Sequence, residues 1–219
     1  MKNFSRLILV GLLFLGACSS HQKKVLVYAN SKIQVDESQK NITVTDGTTQ
    51  VEQELNFNTG DVVVLNITNS KGQYKLEVTE DGLWLANLKK DTLVGSMQHT
   101  GETRNTRITQ DELKLQLDSL NKLVRGENVS AAAKNYFIPP GKIQKISNFT
   151  NAKIFGPFTP VPSAFDAGSV PEIYKFYNLS EENEIINKLT EMSKYKYERG
   201  DEKNDDDDSV YTIHPTKKK

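Results

Sequence analysis

The sequence predicts an α+β protein. An N-terminal antiparallel β-sandwich or small barrel is followed by two helices, which are joined by an extended segment rich in proline and phenylalanine. Three observations predict it. From Val25 to about Ser96, short apolar runs alternate with Gly and Asp-Gly turns. From Thr109 and from Ser180, apolar residues recur instead at helical spacing. Between these stretches lie six of the seven prolines and six of the nine phenylalanines. A period of two marks a half-buried strand, and a period near 3.6 marks an amphipathic helix.

The chain opens with Lys2 and Arg6, then the apolar run Leu7–Leu15, then Gly16-Ala17-Cys18. A short basic region, an apolar core too short to span a bilayer and small residues at the end are the parts of a signal peptide. Leu15-Gly16-Ala17-Cys18 resembles the lipobox of bacterial lipoproteins. The resemblance implies cleavage after residue 17 and acylation of Cys18, both at its thiol and at the new amino end. Three acyl chains exceed what stable anchoring requires. Cys18 is the single cysteine, so the mature chain would hold no free thiol and no disulfide. Ser19 and Ser20 follow it, without an Asp and without an acidic run. By resemblance to Gram-negative lipoproteins, that implies the periplasmic face of the outer membrane. Residues 18–24 read as a polar tether.

About 202 residues remain after cleavage, enough for one domain or two small ones. Loss of Lys2 and Arg6 leaves 26 basic against 28 acidic residues. No basic excess of the kind nucleic acid requires is present. The cationic runs Lys23-Lys24, Lys89-Lys90 and Lys217–Lys219 are short, free of aromatic residues, and read as solvated surface.

Residues 25–98 form the expected β domain. Val25–Tyr28 is an apolar run. Ile33 and Val35 alternate, as do Ile42 and Val44 before Asp46-Gly47, and Leu55 and Phe57 before Gly60-Asp61. Val62–Ile67 is the most buried-looking run. Lys71-Gly72 turns the chain into Tyr74–Val78, and Asp81-Gly82 turns it into Leu83–Leu88. Trp84 points away from Leu83 and Leu85. Either a second face is buried there or Trp84 is exposed for binding, and burial is the favoured reading.

Residues 99–200 should pack on that domain. Thr109-Gln110-Asp111-Glu112 fits a capping box, and Leu113, Leu117, Leu120 and Val124 form a stripe that stops at Gly126. Proline at the density of residues 136–177 forbids long helix, and phenylalanine at that density argues against a solvated linker. An extended path is expected, with short strands at 143–146 and 153–155. Its rings, Phe155 and Phe158 among them, are expected to be buried. Docking onto a partner is the alternative. Ser180 should cap a second helix with Ile185, Ile186, Leu189 and Met192 inward, ending at Gly200. Residues 201–219, with Asp205–Asp208, read as a disordered acidic then basic tail.

No catalytic constellation is visible. His21, His99 and His214 have no serine elbow to serve and no ligand spacing, so neither a catalytic residue nor a metal or cofactor is assigned. Glu80, Asp81 and Asp61 read as turn formers. Asp91-Thr92-Leu93, Asp118-Ser119-Leu120 and Asp208-Ser209-Val210 resemble a bacterial O-glycan motif. The lipobox, Asn135–Pro140 and Phe155-Gly156-Pro157-Phe158 together resemble envelope lipoproteins of the Bacteroidota, a resemblance that implies no activity. The expected function is a membrane-tethered, non-enzymatic binding or assembly module with an envelope protein partner and no nucleic acid. Trp84, Phe155 and Phe158 are its candidate binding surface. The alternative is a carboxylate-dependent hydrolase of envelope glycan.

Overall fold

A computed structural model describes residues 21–98, 109–162 and 170–194. Cys18, His99, Phe165 and the 201–219 tail lie outside them. The protein is mixed α+β: the described residues form twelve strands in three four-stranded sheets and two helices, with no closed barrel among them.

The central sheet runs β10 (Lys142–Ser147), β7 (Gly82–Leu88), β1 (Lys23–Asn30), β4 (Gln50–Phe57). Its two inner strands pair in parallel, Val25 opposite Trp84 and Val27 opposite Ala86. Both are buried on both faces. Val25, Val27, Ala29, Trp84, Ala86 and Leu88 point to one core, whereas Leu26, Tyr28, Leu83 and Leu85 point to another. Strict alternation with every position apolar is what a middle layer requires.

The first core is closed by a sheet ordered β2 (Ile33–Asp36), β3 (Asn41–Val44), β5 (Val63–Asn69), β6 (Gly72–Val78), which supplies Ile42, Val44, Val63, Leu65, Ile67, Leu76 and Val78. The second core is closed by β11 (Lys153–Phe155), β12 (Ile173–Asn178), β8 (Leu93–Gln98), β9 (Asn135–Ile138), through Leu93, Tyr136, Ile138, Tyr174 and Phe176. Tyr136 meets Tyr174 edge-on at 5.8 Å. The arrangement is therefore three stacked sheets. Strands β7 and β8 pair with β10, β9 and β12, so residues 135–178 complete sheets begun before residue 98.

This changes the expectation for 136–177. The strands at 143–146 and 153–155 are present, but so are β9 and most of β12, so the segment is largely sheet. Burial of its rings is uneven. Phe176 is fully buried, Phe137 and Phe155 are half-buried, and Phe149 and Phe158 are exposed. Lys23 and Lys24, expected to be polar chain before the β domain, belong to β1, and Lys23 is buried. Lys23 donates to the Thr59 carbonyl at 2.7 Å and to Asp81 at 3.2 Å.

Helix α1 (Gln110–Val124) starts with the expected box: Glu112 N–H donates to the Thr109 hydroxyl and Thr109 N–H to Glu112 Oε2 at 2.7 Å. Leu113 and Leu123 are buried, and Gly126 follows with φ +71°. Helix α2 (Leu179–Ser193) springs directly from β12, with Asn178 as its cap in place of the expected Ser180, and it ends before Gly200. The helices pack on each other; α1 touches β9, and α2 touches β12 and β8. No helix among the described residues is long and apolar enough to cross a membrane.

Candidate functional site

The strands of the middle and β2–β6 sheets end together at one pole. There the carboxyl ends of β1, β3, β5 and β7 meet the starts of β6 and β10 around a cavity of about 460 Å³. Its apolar lining is Val44, Leu76 and Leu88, which also belong to the core beneath. Tyr74 lines it beside Gly141, whose φ of +73° turns the chain from Pro140 into β10 and leaves the phenol 3.6 Å from where a Cβ would stand. Polar side chains come from Asn30, Thr45, Asn69 and Ser70.

Five lysines line this groove, Lys71, Lys75, Lys89, Lys90 and Lys142, against one carboxylate, Asp46. Lys89 is 5% exposed and donates to Gln50 Oε1 at 2.8 Å. Burial pushes its ammonium pKa down, and the nearby Asp91 and Glu181 oppose that. Lys90 pairs with Asp46 at 3.2 Å. The Ser70 hydroxyl and then Lys90 hold the Asp46 carboxyl below its ordinary pKa. Lys71, Lys75 and Lys142 form no salt bridge among the described residues. An uncompensated cationic rim over a partly apolar floor attracts an anion and gives its uncharged part something to pack on.

At the same pole the turn 156–159 is fixed from several sides. The buried Lys175 ammonium donates to the carbonyls of Gly156 at 2.6 Å and Thr159 at 2.9 Å, and lies 4.4 Å from the Tyr177 ring centre. Gln50 donates to the Pro157 carbonyl, and Phe158 N–H donates to Glu181. A Cβ at Gly156 would stand 2.9 Å from the Tyr28 hydroxyl, so only glycine fits. Phe158 sits at φ +59°, uncommon for a bulky residue, with its ring 73% exposed. Behind the turn, burial and the neighbouring Glu181 raise the pKa of the buried Glu182 to about 7, with Lys175 opposing. Its Oε2 has no hydrogen-bond partner among the described residues.

A third polar cluster surrounds Glu172. Its Oε2 accepts from the hydroxyls of Ser147 at 2.5 Å and Tyr174 at 2.6 Å, and its Oε1 from Lys134 at 2.5 Å. Burial pushes the carboxyl pKa up, but Lys134, Ser147 and Tyr174 together bring it below the ordinary value. Both oxygens are occupied and the group stays ionised. It ties β9, β10 and β12 together and leaves no free base for the Ser147 hydroxyl.

The expected site residues are not brought together. Trp84 is 8% exposed, faces the core between the middle and β2–β6 sheets, and donates its indole N–H to the Glu80 carbonyl. It offers no binding face. Phe155 is half-buried on β11, and only Phe158 presents its ring to solvent. Glu80 pairs with Lys145, and Asp81 with His21 and Lys23. Asp91 of the first glycan-like motif bonds to α2, and Ser119 of the second lies within α1. No cluster of three or more metal-ligating side chains occurs among the described residues. The groove lysines come from separate places in the chain, Lys71 and Lys89-Lys90 from turns, Lys75 from β6 and Lys142 from the start of β10, and of them only Lys89-Lys90 stands out as a run in the sequence. Lys89 proves to be buried, not solvated. Comparisons with protein-family models, with curated proteins and with solved structures find no match to this chain.

Proposed function

We propose that this chain is a lipid-anchored envelope protein of the outer membrane's periplasmic face, acting as a non-enzymatic binding module. Its site is the lysine-lined groove, and its ligand is a small phosphorylated or carboxylated saccharide. One observation carries the reading: among the described residues, Lys71, Lys75 and Lys142 form no salt bridge, and they stand around a partly apolar cavity at the pole opposite the start of β1. Strand β1 is eight residues long, so the groove lies roughly 23 Å from the start of that strand. A cavity of about 460 Å³ is within the range of small-ligand sites. Asn30, Asn69 and Ser70 supply hydrogen-bonding groups for hydroxyls, and the half-buried Tyr74 supplies a ring. The exposed Phe158, fixed at the same pole, fits contact with an envelope protein partner.

The hydrolase alternative gains nothing from this geometry. A two-carboxylate mechanism needs a facing pair. The groove has Asp46 alone, and its partner is a lysine.

Titration calorimetry with glucose 1-phosphate, a uronic-acid disaccharide and a neutral disaccharide tests the reading. The two anionic sugars should bind, more weakly as salt is raised, and the neutral one should not. Equal binding of all three, or none, would overturn it.

A further inference from the structure

At the opposite pole the fold is fastened down almost from its first described residue. His21 Nδ1 lies 2.8 Å from Asp81 Oδ2, and the Gln22 carbonyl accepts the Gly82 N–H at 2.9 Å. Lys23 is buried and bonded to Thr59 and Asp81. If Cys18 carries the anchor, only Ser19 and Ser20 lie between it and His21. Three peptide steps reach at most about 11 Å, whatever path they take. The pole formed by Gln22, the 59–62 turn and the 148–150 turn is therefore held within headgroup distance of the bilayer.

Two of the five large apolar side chains exposed among the described residues sit at this pole. Phe149 and Val62 are each 49% exposed, Phe149 next to Thr150, whose hydroxyl bonds to Gln22, and Val62 at the entry to β5. Of the charged groups around them, Lys23 pairs with Asp81, beside His21, and Lys145 pairs with Glu80, while Asp61, just before Val62, takes a hydrogen bond from the Thr59 hydroxyl. Apolar side chains at a pole whose charges are mostly paired suit the boundary between headgroups and acyl chains.

We infer that Phe149 and Val62 form a membrane-contact tip that enters the interface of the bilayer holding the Cys18 lipid. The tip stands the β-sheet stack upright and turns the lysine groove away from the membrane. The inference rests on the anchoring part of the proposed function.

The test uses full-length protein, purified after export and reconstituted in phosphatidylethanolamine–phosphatidylglycerol vesicles containing lipids brominated high on the acyl chain. Phe149→Trp and Val62→Trp each add a probe at the tip, and Phe158→Trp adds one at the far pole. The tip probes should lose at least half of their added fluorescence to bromine, and the Phe158→Trp probe almost none. Intact mass of the N-terminal peptide reports acylation in the same sample. An acylated protein whose two tip probes are quenched no more than Phe158→Trp would overturn the tip and leave the anchor standing. A Cys18 peptide without acyl mass would overturn the anchor and, with it, the reach argument for the tip.

Discussion

Asp91 and Ser180, 89 positions apart, are joined at the start of α2: Asp91 Oδ2 accepts the Ser180 hydroxyl at 2.7 Å and its backbone N–H at 3.2 Å. The next-door Leu179 N–H donates to the Thr92 carbonyl at 2.8 Å. The helix N-terminus leaves backbone donors unsatisfied, and a carboxylate there also meets the positive end of the dipole. The β7–β8 turn thus serves as the cap of a helix far along the chain. Asp91→Ala should cost about 1–2 kcal/mol by chemical denaturation, and Asp91→Asn about half of that. A loss below a few tenths of a kcal/mol for Asp91→Ala would show that water caps the helix as well.

Phe158 combines an exposed ring with φ +59°. Removing the ring creates no cavity, and glycine accepts this backbone without strain. Phe158→Gly should leave stability unchanged or raise it by up to about 1 kcal/mol, while weakening any partner contact made by the turn. Thermal melting checks the first point. A loss of roughly 3 kcal/mol, as for a core ring, would contradict the exposed placement.

Glu182 sets a pH dependence. Its folded pKa is about 7, raised chiefly by burial, against about 4.5 when unfolded. Between those values the folded chain binds more protons than the unfolded one, so stability falls as pH rises. The contribution of the neutral carboxyl is fully present below about pH 4.5 and lost through pH 7, on the order of 3 kcal/mol in all. Urea denaturation from pH 5 to 8 should show the wild type losing stability relative to Glu182→Gln. Parallel pH curves for the two proteins would rule this out.

Gly72 and Gly82 share nearly the same φ, +126° and +123°, in different surroundings. A Cβ at Gly72 would meet nothing within 4 Å, whereas one at Gly82 would stand 2.2 Å from the Ser147 carbonyl oxygen. Both alanine variants carry backbone strain, but only Gly82→Ala must also push β7 away from β10. It should cost at least about 1 kcal/mol more than Gly72→Ala. Equal midpoint shifts in denaturant would mean that the strand edge yields freely.

Local signals were legible where one stretch of sequence settled the matter. The Thr109–Glu112 box, the Gly126 stop and the runs that became β1, β5, β6 and β7 all read directly. Strand β12 was hidden because Lys175 interrupts its apolar run. Its burial depends on the carbonyls of Gly156 and Thr159, which only the folded chain brings near. Ser180 looked like a cap but points its hydroxyl at Asp91, so Asn178 takes that place. The third sheet was out of reach for a similar reason. Continuous apolar sequence in β1 and β7 says that both faces are buried, but not that the second cover comes from residues 135–178. The groove is the extreme case: its lysines belong to two turns and two strands far apart in the chain and acquire a common meaning through strand order alone.

The groove is proposed to bind an anion through Lys71, Lys75 and Lys142, which form no salt bridge among the described residues. Its most direct test is the calorimetric affinity for glucose 1-phosphate of the wild type, of Lys75→Glu/Lys142→Glu, and of Lys122→Glu. Lys122 lies on α1 and is bridged to Asp118, far from the groove. At least a tenfold loss is expected for the groove variant and less than a twofold change for the α1 variant. Unchanged affinity in Lys75→Glu/Lys142→Glu, or an equal loss in both variants, would contradict it.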